Sequence, residues 1–211
     1  TNRGTSEKVT ILVTGGAGYI GAHTVRALRD ASRGVVVLDT LERGNREAVI
    51  DAKLIVGDVA DDALVAKICA DYKIDGVVHF AAYKAVGESM THPMKYWQNN
   101  VSSTIKLLET LISQSVYRFV FSSSASVYGT PKSSPTTENE STKPESVYAE
   151  TKLAVENILK SLDATGLKSV SLRYFNAAGA SGDNKIGEDW MASQNLIPRV
   201  MRALLDDKFK F

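Results

Sequence analysis

The stretch VTILVTGGAGYIG, residues 9–21, decides the fold. Its first part, residues 9–14, is an apolar run of strand length, which is typical of a strand buried on both faces. Glycines follow at Gly15, Gly18 and Gly21, and a helical pattern begins among them. A strand, a glycine-rich turn and a helix in this order predict a turn that binds the phosphates of a dinucleotide.

Each glycine of this turn has a physical reason to be there. Gly15 permits the sharp turn, Gly18 lets the backbone approach a pyrophosphate, and Gly21 allows the helix to pack closely on the strand. The helix N-terminus offers free N–H groups and a partial positive charge to the phosphates. Tyr19 and Ile20 lie in this first turn, so we count them among the cofactor-binding residues.

Asp39 indicates which dinucleotide is bound. It ends the second predicted strand, 18 residues after Gly21. A carboxylate there accepts hydrogen bonds from the ribose hydroxyls and repels a 2′-phosphate, which favours NAD over NADP. Arg43 and Arg46 lie close by in the sequence and leave NADP open as an alternative.

Strand and helix patterns alternate along the rest of the chain. The predicted strands are residues 9–14, 35–39, 53–58, 75–82, 117–124 and 169–175. The predicted helices are residues 18–31, 61–72, 93–115, 147–162 and 195–205, and residues 130–144 form an irregular loop. Such alternation predicts an α/β fold with a doubly wound parallel sheet of the Rossmann type. We expect a polar tail at 1–8, an NAD-binding domain at 9–176, and the start of a smaller substrate domain at 177–211.

Composition excludes several classes of partner. The 211 residues carry 25 Lys+Arg and 24 Asp+Glu, so no basic excess favours nucleic acid or a membrane surface. The sequence has no apolar stretch long enough to span a membrane and no apolar leader, so we expect a cytoplasmic protein. Its three histidines are scattered and Cys69 is the single cysteine, so we expect no metal site.

Three further residues form a candidate catalytic set. Tyr148 and Lys152 are four residues apart at the start of a predicted helix, so they share one face. A tyrosine with an ordinary pKa of about 10 is a poor base, but a neighbouring ammonium favours the phenolate. Ser124 ends the fifth predicted strand, where open α/β sheets bind their ligands. A serine, a tyrosine and a lysine downstream of a dinucleotide turn indicate an enzyme that transfers hydride.

These motifs together resemble a known family. The glycine turn, Ser124 and Tyr-x-x-x-Lys follow the pattern of the extended short-chain dehydrogenases/reductases. Within that family the chain is similar to the UDP-glucose (UDP-galactose) 4-epimerases after residue 8. The strings that carry this similarity are HFAAYKAVGES (79–89), QNNV (98–101), SSSASVYG (122–129) and LRYFNAAGA (172–180).

The resemblance implies an activity and roles for individual residues. Tyr148 would take the proton of the sugar 4-hydroxyl, Ser124 would bridge the two, and Lys152 would hold the nicotinamide ribose. C4 of a UDP-hexose would be inverted through a 4-keto sugar, and relatives often form homodimers. Further implied contacts to NAD are Asp58, Val59, Phe80, Ala81, Ala82, Lys84, Asn99, Ser122 and Phe175. The implied contacts to the UDP-sugar are Lys84, Ser124, Tyr148, Asn176, Asn195 and Leu196.

Other functions stay open on the sequence alone. An epimerase acting on UDP-pentoses or UDP-uronates has nearly the same motifs, and a non-catalytic NAD-binding sensor or fragment would keep the glycine turn. A 4,6-dehydratase is disfavoured, because Ala125 and Ser126 stand where those relatives carry an acidic pair. Relatives also continue beyond Phe211, so we expect the chain to lack the C-terminal part of the sugar site.

Overall fold

The computed structural model describes residues 9–191, 193–206 and 209. The predicted polar tail at 1–8 lies outside these residues, and so do five positions of the segment 177–211. The proposed division into two domains at residue 176 stays a prediction.

One parallel sheet organises the described residues. Its strands are β1 Thr10–Thr14, β2 Gly34–Asp39, β3 Lys53–Val56, β4 Ile74–His79, β5 Arg118–Ser122 and β6 Lys168–Leu172. The spatial order is β3-β2-β1-β4-β5-β6, and every neighbouring pair is parallel. The chain reverses its direction of winding between β1 and β4, so a crevice opens at the carboxyl ends of these two strands. The predicted doubly wound fold is confirmed.

Helices connect the strands and cover both faces of the sheet. They are α1 Tyr19–Asp30, α2 Asp62–Tyr72, α3 Val86–Thr91, α4 Pro93–Tyr96, α5 Ser103–Ser113, α6 Val147–Ser161 and α7 Leu196–Leu205. Short 3-10 turns lie at Arg46–Ala48, Ala125–Tyr128 and Leu162–Thr165. In the described part of the chain no helix has the length and apolar character needed to cross a bilayer.

The side chains of the strands alternate between two cores. Leu12, Val36 and Leu38 belong to the larger cluster, which packs against α2, α5 and α6. Val13 and Val37 point to the opposite face and pack with residues of α1 in a smaller cluster. Because β1 and β2 are buried on both sides, they read in the sequence as continuous apolar runs rather than alternating ones.

The helix predicted for residues 93–115 is present and ends at Ser113, but it is not α-helical throughout. A π-helical turn, Trp97–Ser102, separates α4 from α5. Inside this turn the Asn100 side chain receives a hydrogen bond from the Tyr83 N–H (2.9 Å) and donates one to the Tyr83 carbonyl (3.0 Å). The widened turn brings Asn100 to a loop 17 residues earlier in the chain, a demand that no local pattern reveals.

Helix α3 was not predicted from the sequence, and it supports the start of α6. The buried hydroxyl of Ser89 accepts a hydrogen bond from the Tyr148 backbone N–H (3.1 Å) and donates to the Val86 carbonyl (2.6 Å). Ser146 caps the same helix through the Ala149 N–H (3.2 Å). Two hydroxyls therefore satisfy first-turn donors of the helix that carries Tyr148 and Lys152.

Candidate active site

The glycine turn after β1 has the tight geometry that the sequence predicted. Gly15 has a positive φ of 69°, and a Cβ there would lie 2.5 Å from the Ala81 backbone nitrogen. A Cβ on Gly21 would lie 2.2 Å from the Gly15 carbonyl oxygen. Any other residue at either position would therefore displace the turn from α1 or from the end of β4.

The N-terminus of α1 is open to a ligand. Gly18 is its N-cap residue, no side chain caps the helix, and its first turn has no acidic residue. A Cβ on Gly18 would meet just the Gly15 carbonyl, at 3.3 Å, so the turn has a free outer side. Uncapped N–H groups beside a bare glycine backbone suit the phosphates of a dinucleotide.

Asp39 is buried, and it holds the turn as well as facing the crevice. Its carboxylate accepts hydrogen bonds from the Ala17 N–H (2.9 Å) and the Leu41 N–H (2.8 Å). Each carboxylate oxygen has further lone pairs that can accept from hydroxyl groups. Arg43, which left NADP open in the sequence, donates to Glu88 (3.2 Å) and lies over the Tyr83 ring. Its guanidinium is thus engaged by Glu88 and Tyr83.

Lys152 is buried at the end of β5, with 3% of its surface exposed. Its Nζ donates to the Ser122 carbonyl at 2.9 Å and lies 5.7 Å from the centre of the Tyr148 ring. Burial lowers the pKa of this lysine to about 7. An ammonium has three donors, and among the described residues Ser122 is its one acceptor, so its environment suits a ligand that carries hydroxyl groups.

The pKa of Tyr148 is raised, which is the opposite of the effect predicted from the sequence. Burial of the phenol is the main cause, the hydrogen bond with Ser124 acts to lower the pKa, and the nearby Tyr174 raises it further. The ammonium expected to favour the phenolate is itself disfavoured, because burial lowers the pKa of Lys152. Lysine alone therefore does not prepare Tyr148 as a base.

Ser124 lies beside hydroxyl groups that the sequence analysis did not single out. Its side chain caps the 3-10 turn Ala125–Tyr128 by accepting from the Ser126 N–H (3.2 Å), and it hydrogen-bonds the Ser126 hydroxyl. The hydroxyls of Ser122 and Tyr174 pair in the same way. Ser126 lies within the quoted string SSSASVYG and Tyr174 within LRYFNAAGA. Both residues therefore belong to the strings that carry the family resemblance, but no residue spacing marks them as part of the site.

The ends of β3 and β4 place further predicted residues at the same edge of the sheet. Phe80, Ala81 and Ala82 follow β4 directly and are half-buried beside the glycine turn. Asn99 lies in the π-helical turn and donates to the Asn100 side chain at 3.0 Å. After β3, Asp58 is exposed and Val59 is buried.

Two predicted substrate residues converge on a carboxylate that the sequence analysis missed. Oε1 of Glu188 accepts from Lys84 Nζ (3.3 Å), Asn195 Nδ2 (2.7 Å) and Ser193 Oγ (2.7 Å). These contacts join the loop after β4 to the segment before α7. No sequence pattern connects residues 104 positions apart, so Glu188 had no signal of its own.

A cleft of about 190 Å³ lies between α1 and the segment after β6. Its lining residues are Ile20, Tyr174, Phe175, Asn176 and Ala177. Phe175 was expected to pack beside the cofactor, and it stands on the cleft wall with 73% of its surface exposed. Leu196 lies at the start of α7 and is 64% exposed, away from these lining residues.

The matching family model extends over residues 11–209 and describes the NAD dependent epimerase/dehydratase family. The chain belongs to this family. The match covers nearly all of the chain, which agrees with the sheet order, the glycine turn and the Tyr-Lys pair described above.

Individual family members resemble the chain closely. It is 48% identical over 203 residues to the UDP-glucose 4-epimerase of Lactobacillus helveticus, covering 95% of this chain and 62% of that protein. The UDP-glucose 4-epimerase structure from Brucella ovis, a complex with NAD, has a TM-score of 0.90 and 40% identity, with 92% of this chain and 60% of that chain covered. The Thermotoga maritima structure with UDP-glucose has a TM-score of 0.86 and 32% identity, with coverage of 93% and 63%. The chain therefore spans about three fifths of the length of these relatives.

Proposed function

We propose that this chain provides the NAD-binding and catalytic half of an epimerase that inverts C4 of a UDP-hexose such as UDP-glucose or UDP-galactose. The observation that carries the proposal is the face of α6 on which Tyr148 and Lys152 meet Ser124 and Ser122 at the carboxyl end of β5. The relatives from Brucella ovis and Thermotoga maritima, bound to NAD and to UDP-glucose, support it.

The residues of the crevice fit NAD. The open N-terminus of α1 and the bare Gly18 would receive the diphosphate, and Asp39 the hydroxyls of the adenosine ribose. Lys152, with donors to spare, would bind the hydroxyls of the other ribose. Asp58 and Val59 would lie near the adenine, while Phe80, Ala81, Ala82, Asn99, Ser122 and Phe175 would line the nicotinamide half. The engagement of Arg43 by Glu88 favours NAD over NADP, because this cation is then held away from a 2′-phosphate.

The chain's own residues handle the proton of the reaction. When bound, NAD supplies a reversible hydride acceptor for C4 and a positive ring that favours the Tyr148 phenolate. Tyr148 removes the proton of the sugar 4-hydroxyl and later returns it. Ser124, which acts to lower the pKa of Tyr148, bridges the sugar hydroxyl and the phenol oxygen. The burial of Lys152 and the partial burial of Tyr148 limit the access of water to this transfer.

Substrate contacts are proposed for Lys84, Asn176, Asn195 and Leu196, which lie around or beyond the cleft. Acceptance of UDP-pentoses or UDP-uronates is an alternative within the same chemistry. The homodimer and the cytoplasmic location stay predictions from the sequence and its resemblance.

The formation of NADH provides a direct test. Mixing the NAD-loaded protein with UDP-galactose should produce transient NADH absorbance, because C4 gives up its hydride before taking it back, whereas a non-catalytic NAD sensor would produce none. Tyr148→Phe should lower this rate by about 10²–10⁴-fold and keep NAD bound, because it removes the proton-transferring group and no phosphate contact. Tyr117→Phe, on a half-exposed tyrosine before β5, is the matched control and should retain the full rate. A Tyr148→Phe variant with the wild-type rate would refute the proposed role of this residue.

A further inference from the structure

Ser122 ends β5, Ser123 and Ser124 follow it, and each of the three serines is associated with a different turn of α6. Lys152 donates to the Ser122 carbonyl, and Ser124 acts on the phenol of Tyr148, whose pKa it lowers. The middle serine is engaged by Glu156, which lies one turn beyond Lys152 on the same helix face. Because Tyr148, Lys152 and Glu156 are spaced four residues apart, the helix and the serines meet in a single register.

Glu156 is almost fully buried, and both of its carboxylate oxygens accept hydrogen bonds. Its Oε1 accepts from Ser123 Oγ (2.5 Å) and from Arg173 Nε (2.9 Å), and its Oε2 accepts from Arg173 Nη2 (2.5 Å). With 3% of its surface exposed, the carboxylate is held by a bidentate arginine pair and a hydroxyl. The hydrogen bond with Glu156 raises the pKa of Arg173, so the guanidinium stays charged.

Arg173 extends the same network to the other side of Ser124. Its Nη1 donates to the Tyr128 hydroxyl at 2.9 Å, and its guanidinium lies over the Tyr128 ring. Tyr128 ends the 3-10 turn that Ser124 caps. The residue before Ser124 is therefore held by Glu156, and the turn after it is held by Arg173.

A stabilising role alone does not account for this arrangement well. Burying a carboxylate and a guanidinium costs desolvation energy that their attraction roughly offsets, and apolar pairs of similar volume often stabilise a core equally well. What an apolar pair lacks is direction: the present network makes hydrogen bonds to Ser123 and Tyr128, on both sides of Ser124.

We propose that Glu156 and Arg173 are positioning residues that hold the Ser124 hydroxyl in register with Tyr148. In this role Glu156 and Arg173 contact neither the sugar nor the cofactor, and they act on Ser124 through Ser123 and Tyr128. The inference rests on the proposed function for its kinetic consequence. Its electrostatic consequence, the effect of Ser124 on the pKa of Tyr148, can be measured without turnover.

The test replaces the charged pair by an apolar one and compares it with a matched loss of packing. Glu156→Met combined with Arg173→Met keeps the volume and removes the directed hydrogen bonds. Leu159→Ala, on a buried residue one turn further along α6, weakens the core without removing any of these hydrogen bonds. Conversion of UDP-galactose to UDP-glucose is measured per folded, NAD-loaded molecule across pH, and its dependence on UDP-galactose concentration gives KM.

We expect the double variant to lose roughly tenfold to a hundredfold in rate with KM little changed, since a displaced hydroxyl costs rate rather than sugar binding. The pH midpoint of its activity should rise, because the Ser124 hydrogen bond lowers the pKa of Tyr148. Leu159→Ala should keep the wild-type rate and midpoint per folded molecule. Wild-type rate and pH profile in the double variant would overturn the proposal.

A second readout separates this inference from the proposed function. In protein with isotope-labelled tyrosine, the Tyr148 signal is the one missing from Tyr148→Phe, and its titration midpoint should rise in the double variant. An unchanged midpoint overturns the positioning role even if the wild type is inactive, whereas inactivity of the wild type counts only against the proposed function. If the double variant does not fold, Ser123→Ala removes one contact of Glu156, keeps the ion pair, and should raise the Tyr148 midpoint to a smaller degree.

Discussion

The two walls of the crevice are built differently. The wall formed by β5 and α6 belongs to the core: Phe119, Phe121 and Lys152 are buried, and Lys152 donates a hydrogen bond to the Ser122 carbonyl. The opposite wall begins at Phe175, which lines the cleft, and the chain continues from it to α7; Phe175, Leu196 and Leu204 in this segment are all largely exposed.

The second wall is attached to the rest of the molecule mainly by polar contacts. Tyr19 OH donates to the Gly179 carbonyl at 2.6 Å, Arg26 pairs with Asp183 at 2.8 Å, and Lys84 pairs with Glu188. Ion pairs of this partly exposed kind contribute about 0–1 kcal/mol each. The wall assigned to proton transfer is thus held in position by core packing, whereas the wall assigned to the sugar nucleotide is held in position by weak polar contacts. Variants in the first should change stability strongly and variants in the second should change binding slightly.

We expect the largest effect on the buried wall from a substitution of His79. Its Nε2 lies 3.0 Å from Thr104 Oγ1. The Thr104 hydroxyl already donates its hydrogen to the Asn100 carbonyl (2.7 Å), so Nε2 must carry the ring hydrogen and donate to Thr104. Nδ1 then accepts from Thr14 Oγ1 at 2.7 Å. Burial, assisted by the nearby Lys152, lowers the pKa of His79 to about 3.

This histidine should make the fold sensitive to acid. Between pH 6.5 and about 3 the unfolded chain binds a proton that the folded protein excludes, so stability is full above this window and lost as the pH falls through it. We expect His79→Asn to remove about 3 kcal/mol from the difference in unfolding free energy between pH 7 and pH 4. Urea titrations at the two pH values measure this. His92→Asn, on an exposed histidine, is the control and should behave as the wild type. Equal acid sensitivity in His79→Asn and wild type would contradict the assignment.

A substitution of Lys152 on the same wall should have a smaller effect, and it should stabilise the fold. Since its folded pKa of about 7 lies below the unfolded value of 10.5, the cost of burying its charge is present in full below pH 7 and disappears towards pH 10.5. Lys152→Met should therefore raise the free energy of unfolding by about 2 kcal/mol at pH 6, with a gain that shrinks as the pH rises. Lys160→Met, on the exposed side of α6, should show no such pH dependence. Destabilisation of Lys152→Met at pH 6 would show that its bond to Ser122 outweighs the buried charge.

The smallest effect is expected from a change in the weakly attached wall, the removal of the charge of Glu188. Glu188→Gln keeps an oxygen to accept from Ser193 and Asn195 and removes the negative charge that holds Lys84. We expect UDP to bind about threefold more tightly at low ionic strength, because Lys84 is released towards the diphosphate, and the gain should fade in salt. Calorimetric titration with UDP measures this. Asp183→Asn removes the same charge from the Arg26 pair and should leave the affinity unchanged. Weaker binding in Glu188→Gln would mean that the ion pair is needed to place Lys84.

The parts of the site that could be predicted from sequence are those set by local geometry. A glycine with positive φ, a carboxylate at a strand end, and a tyrosine and lysine one turn apart all have short-range signatures, and the described residues bring them to one edge of the sheet. The start of the helix predicted at residue 61 has the same local origin: Asp61 caps α2, and its side chain accepts from the Leu64 N–H at 3.0 Å.

The parts that could not be predicted depend on contacts between distant residues. Tyr174 meets Ser122, Glu188 meets Lys84, and the pKa of Tyr148 follows burial that the helix pattern alone does not report. The spacing of Tyr148 and Lys152 indicated proximity, but whether the lysine keeps its charge depends on how deeply α6 packs.

The π-helical turn at Trp97–Ser102 has a consequence for chain length. It is equivalent to one residue more than an α-helix of the same span needs, and each residue of an α-helix turns the chain by about 100°. Deleting a single residue here would let α4 and α5 fuse into one regular helix, yet it would rotate Asn100 away from Tyr83 or shift the apolar face of α5 off the sheet. This stretch is therefore constrained in the number of its residues as strictly as in their identity.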